Sequence, residues 1–106
     1  RKAEMAIRDT LDVGGGKWKL IIISILREGP LRFNQLGSEA GISPRILSKE
    51  LTELQMNGLV ERIVTDTKPV TVRDGLTPYC ETLNDVLVAL ENWGVSHRQH
   101  IVNHEI

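Results

Sequence analysis

Hydrophobic residues fall along this chain in blocks that Gly and Pro separate. From about Lys2 to Val13, Ala3, Ile7, Thr10 and Leu11 recur at helical spacing, which predicts an amphipathic helix stopped by Gly14-Gly15-Gly16. A second helix is predicted over Lys17 to Glu28. It is apolar nearly all round, through Trp18, Leu20, Ile21, Ile22, Ile23, Ile25 and Leu26, and so reads as the central buried element, ending at Gly29-Pro30. A short helix over about Arg32 to Glu39 turns Phe33 and Leu36 inward and breaks at Ala40-Gly41-Ile42. Ser43 then caps a helix whose first position is Pro44, a residue with no N–H to lose and φ already set. That helix closes near Asn57-Gly58.

Beyond it, Leu59 to Thr65 and Val70 to Val72 are β-branched runs around Asp66-Thr67-Lys68-Pro69, the pattern of an exposed hairpin with a basic tip. Thr77-Pro78 repeats the cap-plus-proline device and opens a long last helix, roughly Tyr79 to Val102. Two helices joined by a tight Gly-containing turn and followed by a two-stranded ribbon give the order of a winged helix-turn-helix. The expected fold is mainly α with a small β-hairpin. Residues 1–106 form a single domain, with a helix-turn-helix over about 32–57, a wing over 59–73 and a dimerisation helix over 78–102.

The face of the helix after Ser43 carries the functional argument. At 100° per residue from Ile46, Leu47, Leu51 and Leu54 centre near about 80°, whereas Arg45, Ser48, Lys49 and Thr52 spread about 260° on the opposite side. Glu50 falls away from that outer face and Glu53 at its margin. Arg bridges O6 and N7 of guanine, Lys and hydroxyls take phosphates or base edges, and the first half of such a helix enters the major groove. Any helix on a protein surface has a polar outer face. What favours double-stranded DNA is the wing that follows, with Lys68 at its tip and Arg62 and Arg73 on its strands. The expected DNA-binding set is Ser43, Arg45, Ser48, Lys49 and Thr52, with Arg32, Lys17 and Lys68 on the backbone.

Composition adds limits. With 106 residues, 41% of them hydrophobic, and a single Cys, the chain has the makings of one packed core without disulfides. Its longest apolar run, Leu20 to Ile23, is far short of the roughly 20 residues of a membrane span. The expected setting is cytoplasmic, away from membranes. No signal-peptide pattern stands near the start, and because the chain opens on Arg1, residues upstream are left open. The formal net charge is −1, yet residues 1–74 carry 12 basic against 10 acidic side chains, and the remainder carries Arg98 against Glu81, Asp85, Glu91 and Glu105. A weakly basic body with an acidic tail permits a DNA-facing surface.

Gly15-Gly16-Lys17-Trp18-Lys19-Leu20, Gly29-Pro30-Leu31-Arg32-Phe33-Asn34-Gln35-Leu36, Gly41-Ile42-Ser43 with Leu47, Leu51 and Leu54, and Asn57-Gly58-Leu59-Val60 closely resemble the HxlR-type winged-helix transcriptional regulators. The resemblance runs from about Met5 to His97. It implies a homodimeric DNA-binding regulator of bacteria or archaea, with terminal helices forming the dimer and the third helix reading the major groove. Many relatives carry a sensing Cys near the start of the first helix; Met5 stands at that position here and lacks a thiolate nucleophile. Where relatives read Val-Glu-Tyr, this chain has Val72-Arg73-Asp74-Gly75, so the second wing strand is expected to end early.

Gly14-Gly15-Gly16-Lys17 is no phosphate loop, because Leu11 and Trp18 stand where that motif needs Gly and Ser or Thr. His97, His100 and His104 share a helix face, but about 10.5 Å of axial rise between the outer two is too far for one ion; no metal or other cofactor is expected. Cys80 lies near a helix start that favours a thiolate, against the plainer reading of a small packed residue. No catalytic motif is present, so the chain is not expected to be an enzyme.

Tyr79, Leu83, Val86, Leu87, Leu90, Trp93 and Gly94 form an apolar stripe too long for a domain of this size to cover alone. A homodimer through Ile7, Leu11, Leu83, Leu87, Leu90 and Trp93 covers it and sets two reading helices about 34 Å apart, hence an inverted-repeat operator. Two alternatives stay open: a winged-helix protein-interaction module without DNA binding, and a regulator with a small-molecule effector held between the dimer helices and the wing domain.

Overall fold

A computed structural model describes residues 1–104; Glu105 and Ile106, and with them part of the acidic tail, lie outside the described residues. Helices α1 (Lys2–Gly14), α2 (Lys19–Leu26), α3 (Phe33–Ala40) and α4 (Pro44–Met56) are followed by strands β1 (Val60–Val64) and β2 (Val72–Leu76), a 3-10 helix over Pro78–Leu83 and α5 (Asn84–His104). The core forms where α2, α3 and α4 meet. Ile22, Ile23, Leu36, Leu47 and Leu54 are fully buried there, and Leu59, Val60 and Cys80 close its lower side. Each such Leu or Ile contributes about 1.5–3 kcal/mol by leaving water.

Local chemistry sets the boundaries. The α1–α2 joint depends on glycine, because a Cβ on Gly15 would stand 2.0 Å from the Leu11 carbonyl oxygen and Gly16 has φ +82°. That turn takes up Lys17 and Trp18, so α2 starts at Lys19 rather than Lys17 and stops at Leu26 rather than Glu28. It is also less buried all round than its composition suggests, since Ile21 is 41% exposed. Gly41, at φ 71°, ends α3 with its N–H on the Gly37 carbonyl. Ser43 Oγ accepts the Ile46 N–H at 3.3 Å and Pro44 opens α4, as the sequence predicts.

The wing is an antiparallel pair in register from Val60 opposite Leu76 to Val64 opposite Val72. The expected second strand over Val70 to Val72 is corrected: Val70 and Thr71 lie in the loop, and β2 continues through Asp74 and Gly75 to Leu76. The cause lies outside the hairpin. Leu31 and Asp74 exchange both backbone hydrogen bonds, at 3.0 and 2.8 Å, so the segment before α3 adds a one-residue third edge that pairs with the middle of β2. At the other end Thr65 Oγ1 accepts the Thr71 N–H at 3.0 Å and closes the loop that presents Lys68.

The last segment is corrected too. Thr77 accepts the Cys80 N–H through its hydroxyl and donates to the Gly58 carbonyl at 2.6 Å, but the turn it starts is 3-10 through Leu83 before α5 begins. Tyr79, in that 3-10 turn, is 64% exposed and lines the same cleft as Leu83, Val86 and Leu90. The terminal helices stand away from the body: only Gly14 of α1 is buried, and only Leu87 of α5. The radius of gyration is accordingly 16.0 Å, against roughly 13 Å for a compact chain of this length.

Candidate nucleic-acid interface

The α4 helix turns Leu47, Leu51 and Leu54 into the core and leaves Arg45, Ser48, Lys49 and Thr52 exposed on its far side, with Ser43 exposed at its cap. These five predicted residues are therefore brought together on one face. Thr52 Oγ1 donates to the Ser48 carbonyl at 2.8 Å, so that hydroxyl has lone pairs but no proton to give a ligand. Arg45 and Lys49 form no ion pair among the described residues, which leaves both cations available. Arg32 stands exposed at the N-terminal boundary of α3, and Lys68 at the tip of the wing loop. Lys17 is exposed on the α1–α2 turn with its ammonium 4.8 Å from the centre of the Trp18 ring, a contact weak enough to yield to a phosphate.

Sequence reasoning missed the inner edge of the same helix. Lys19, the first residue of α2, is 8% exposed and pairs with Glu50 at 2.7 Å and with Glu53. Burial alone would lower the Lys19 pKa, but its hydrogen bonds to Glu50 and Glu53 outweigh burial and raise it. The hydrogen bond from Lys19 holds the Glu53 carboxyl below its usual range. The available signal was a lysine in an otherwise apolar helix with two glutamates three apart on one edge of the next long helix.

A second missed residue is Asp74, 2% exposed, whose Oδ1 has no hydrogen-bond partner; the Arg62 Nε stands 4.0 Å away. Burial pushes its carboxyl up, opposed by the Arg62 charge. For Cys80 the plainer reading of a small packed residue holds over the thiolate one: it is 3% exposed and burial raises its thiol. Trp93 stacks on His97 and His100 lies against His104, and no group of three or more His, Cys, Asp or Glu among the described residues is placed to hold a metal ion. No helix among the described residues is long and apolar enough to cross a membrane.

Of the residues expected at a dimer contact, Leu87 is corrected: at 7% exposure it belongs to the chain's own core and has little surface left to offer. Leu83 is half-buried against that core. Ile7, Leu11, Leu90 and Trp93 remain between 49% and 68% exposed. Between α1 and α5 lies a cleft of about 480 Å³ lined mainly by apolar side chains, among them Leu11, Leu20, Leu83 and Leu90.

A capped reading helix, the short turn before it and a hairpin after it define a winged helix-turn-helix protein. The HxlR-like helix-turn-helix family profile matches residues 13–102, and the chain belongs to that family. It is 40% identical over 93 residues to an HTH-type transcriptional regulator of Halalkalibacterium halodurans, spanning 86% of this chain and 82% of that protein. The crystal structure of the HTH-type transcriptional regulator YtcD superposes with a TM-score of 0.80 at 34% identity, over 88% of this chain and 96% of that one. The redox regulator HypR in its reduced form superposes at 0.83 and 34% identity, over 92% and 98%. These relatives are regulators of transcription, not enzymes.

Proposed function

We propose that this protein is a sequence-specific, double-stranded DNA-binding transcriptional regulator that works inside the cell as a homodimer on an inverted-repeat operator. The observation that carries the reading is the outer face of α4, where Arg45, Ser48, Lys49 and Thr52 stand exposed behind a leucine-packed back. Arg45, in the first turn, is the base reader; Ser43, Ser48, Lys49 and Thr52 take neighbouring base edges and phosphates. Arg32, Lys17 and Lys68 hold the flanking backbone. The exposed apolar residues of α1 and α5, Ile7, Leu11, Leu90 and Trp93 among them, are what a second copy covers. A two-fold axis there sets two α4 helices about one DNA turn apart.

Selection of bound sequences from a random duplex pool, followed by gel shifts across a salt series, tests the reading. The expected result is an inverted repeat bound with affinity that falls steeply with salt. A salt-tolerant complex with another protein through the α4 face, and no duplex selected, overturns it in favour of a protein-interaction module. One observation favours an extension. The apolar cleft between α1 and α5 lies within the size range of small-molecule sites, so a ligand there would act where the dimer helices meet the body.

A further inference from the structure

The charges on α4 do not by themselves make a cationic helix. Arg45 and Lys49 are matched one for one by Glu50 and Glu53. Two carboxylates on a helix laid against phosphates repel them, and Glu53 stands four residues after Lys49, the spacing at which the two side chains meet. Yet Lys49 has no ion-pair partner among the described residues: both glutamates bond to Lys19, and Lys49 acts on Glu53 only as a more distant charge. Lys19 reaches them from α2 with its side chain 11% exposed and the Glu50 side chain 13% exposed. An ammonium that enclosed, and already shared by two carboxylates, is poorly placed to reach a duplex itself.

We infer that Lys19 is a positioning residue of the DNA-reading helix: by engaging Glu50 and Glu53, the latter still 41% exposed, one ammonium offsets half of their charge, holds both carboxylates on the α2 side of α4 and leaves the Lys49 ammonium to a phosphate. The inference rests on the DNA-binding reading above. Its geometry has three parts. Lys19 is held at the first position of α2 by the glycine turn before it, with Ile22 and Ile23 packed in the core just beyond. Glu50 and Glu53 lie three residues apart on α4, so one ammonium meets both. The same contact ties α2 to α4 beside the Leu47–Leu51–Leu54 seam and fixes how far α4 is turned about its axis. The Glu50 side chain is only 13% exposed, so removing Lys19 strands a carboxylate and frees Glu53 to compete for Lys49.

The test is a set of variants measured for affinity to the selected operator and to random duplex over a salt series, with thermal melts alongside. K19M is expected to bind both duplexes about tenfold more weakly, with the slope of log K against log salt reduced by about one, the loss of one phosphate contact. K19R, which keeps the charge, is expected to restore binding. In the E50Q/E53Q background the K19M change is expected to cost less than twofold, because no carboxylate remains to be held off. That comparison stands even where K19M alone fails to fold.

A folded K19M with the parent affinity and slope overturns the inference while leaving the DNA-binding reading intact. So does a K19M/E50Q/E53Q variant much weaker than E50Q/E53Q, which would mean that Lys19 acts by packing or by touching DNA. A parent protein that selects no duplex at all overturns the functional reading, and the inference with it.

Discussion

Asp74 gives the sharpest test of the packing. Its side chain is 3% exposed in the middle of β2, Oδ1 has no hydrogen-bond partner among the described residues, and the cation paired with it there, Arg62, is 4.0 Å away on a side chain 59% exposed to water. An unpartnered buried polar atom costs about 1–3 kcal/mol, and more when charged. An exposed partner at that distance returns at most about 1 kcal/mol. Asp74→Asn keeps the shape and removes the charge, so it is expected to stabilise the protein at pH 7 by about 1 kcal/mol, a rise in Tm of about 4–8 °C for a domain of this size.

The sign follows from linkage. Burial raises the folded carboxyl above its usual 3.8, so between 3.8 and that higher value the folded chain binds more protons than the unfolded one. Stability from this group is therefore fully present below 3.8 and is lost as pH rises through the folded value. The Tm advantage of Asp74→Asn should accordingly shrink towards zero in acid. Calorimetry from pH 3 to pH 8 on both proteins measures it, with about 3 and 8 as the working limits for carboxylate titration. A variant less stable than the parent at pH 7, or an advantage independent of pH, refutes the account and means that the carboxylate is held by a contact stronger than Arg62 supplies.

Four further outcomes follow from the same geometry. Arg45→Ala is expected to cost about 1–3 kcal/mol of operator binding and to relax the preference at one base pair, read by repeating the pool selection. Lys68→Ala should instead weaken operator and random duplex alike and lower the salt slope by about one, since the wing tip meets only backbone. Trp93→Glu places a charge in the exposed patch of α5, and sedimentation should find monomers that bind a single half-site; a variant that stays dimeric places the contact elsewhere. Cys80 is closed to solvent and its thiol is raised by burial, so a thiol reagent should label it only as the protein unfolds; labelling at the native rate of a free thiol would reopen redox sensing at that position.

The local signals in this chain were strong and independent of one another. Ser43-Pro44 marks the start of α4 whatever surrounds it, because capping and the fixed φ of proline act within one turn. The leucines at 47, 51 and 54 assign the helix an inner side, and that alone places Arg45, Ser48, Lys49 and Thr52 outside. The glycine turns and the wing order give the succession of elements, although not the extent of β2 or the 3-10 turn before α5. What the sequence left undecided were pairings between segments far apart in the chain. Lys19 meets Glu50 across 31 positions; the spacing of Glu50 and Glu53 on one helix edge hints at a cation there but does not say which one. The second pairing edge of β2 comes from Leu31, outside the hairpin, and burial of Asp74 and Cys80 depends on what packs over them. Leu87 shares its stripe with Leu90 and Trp93, yet it alone is spent inside the chain, since a helical stripe has a width and only the tertiary arrangement decides which edge meets the body. Caps, turns and helix faces are short-range consequences of residue type; the charge that α4 presents to a partner is decided by a neighbour that only folding brings beside it.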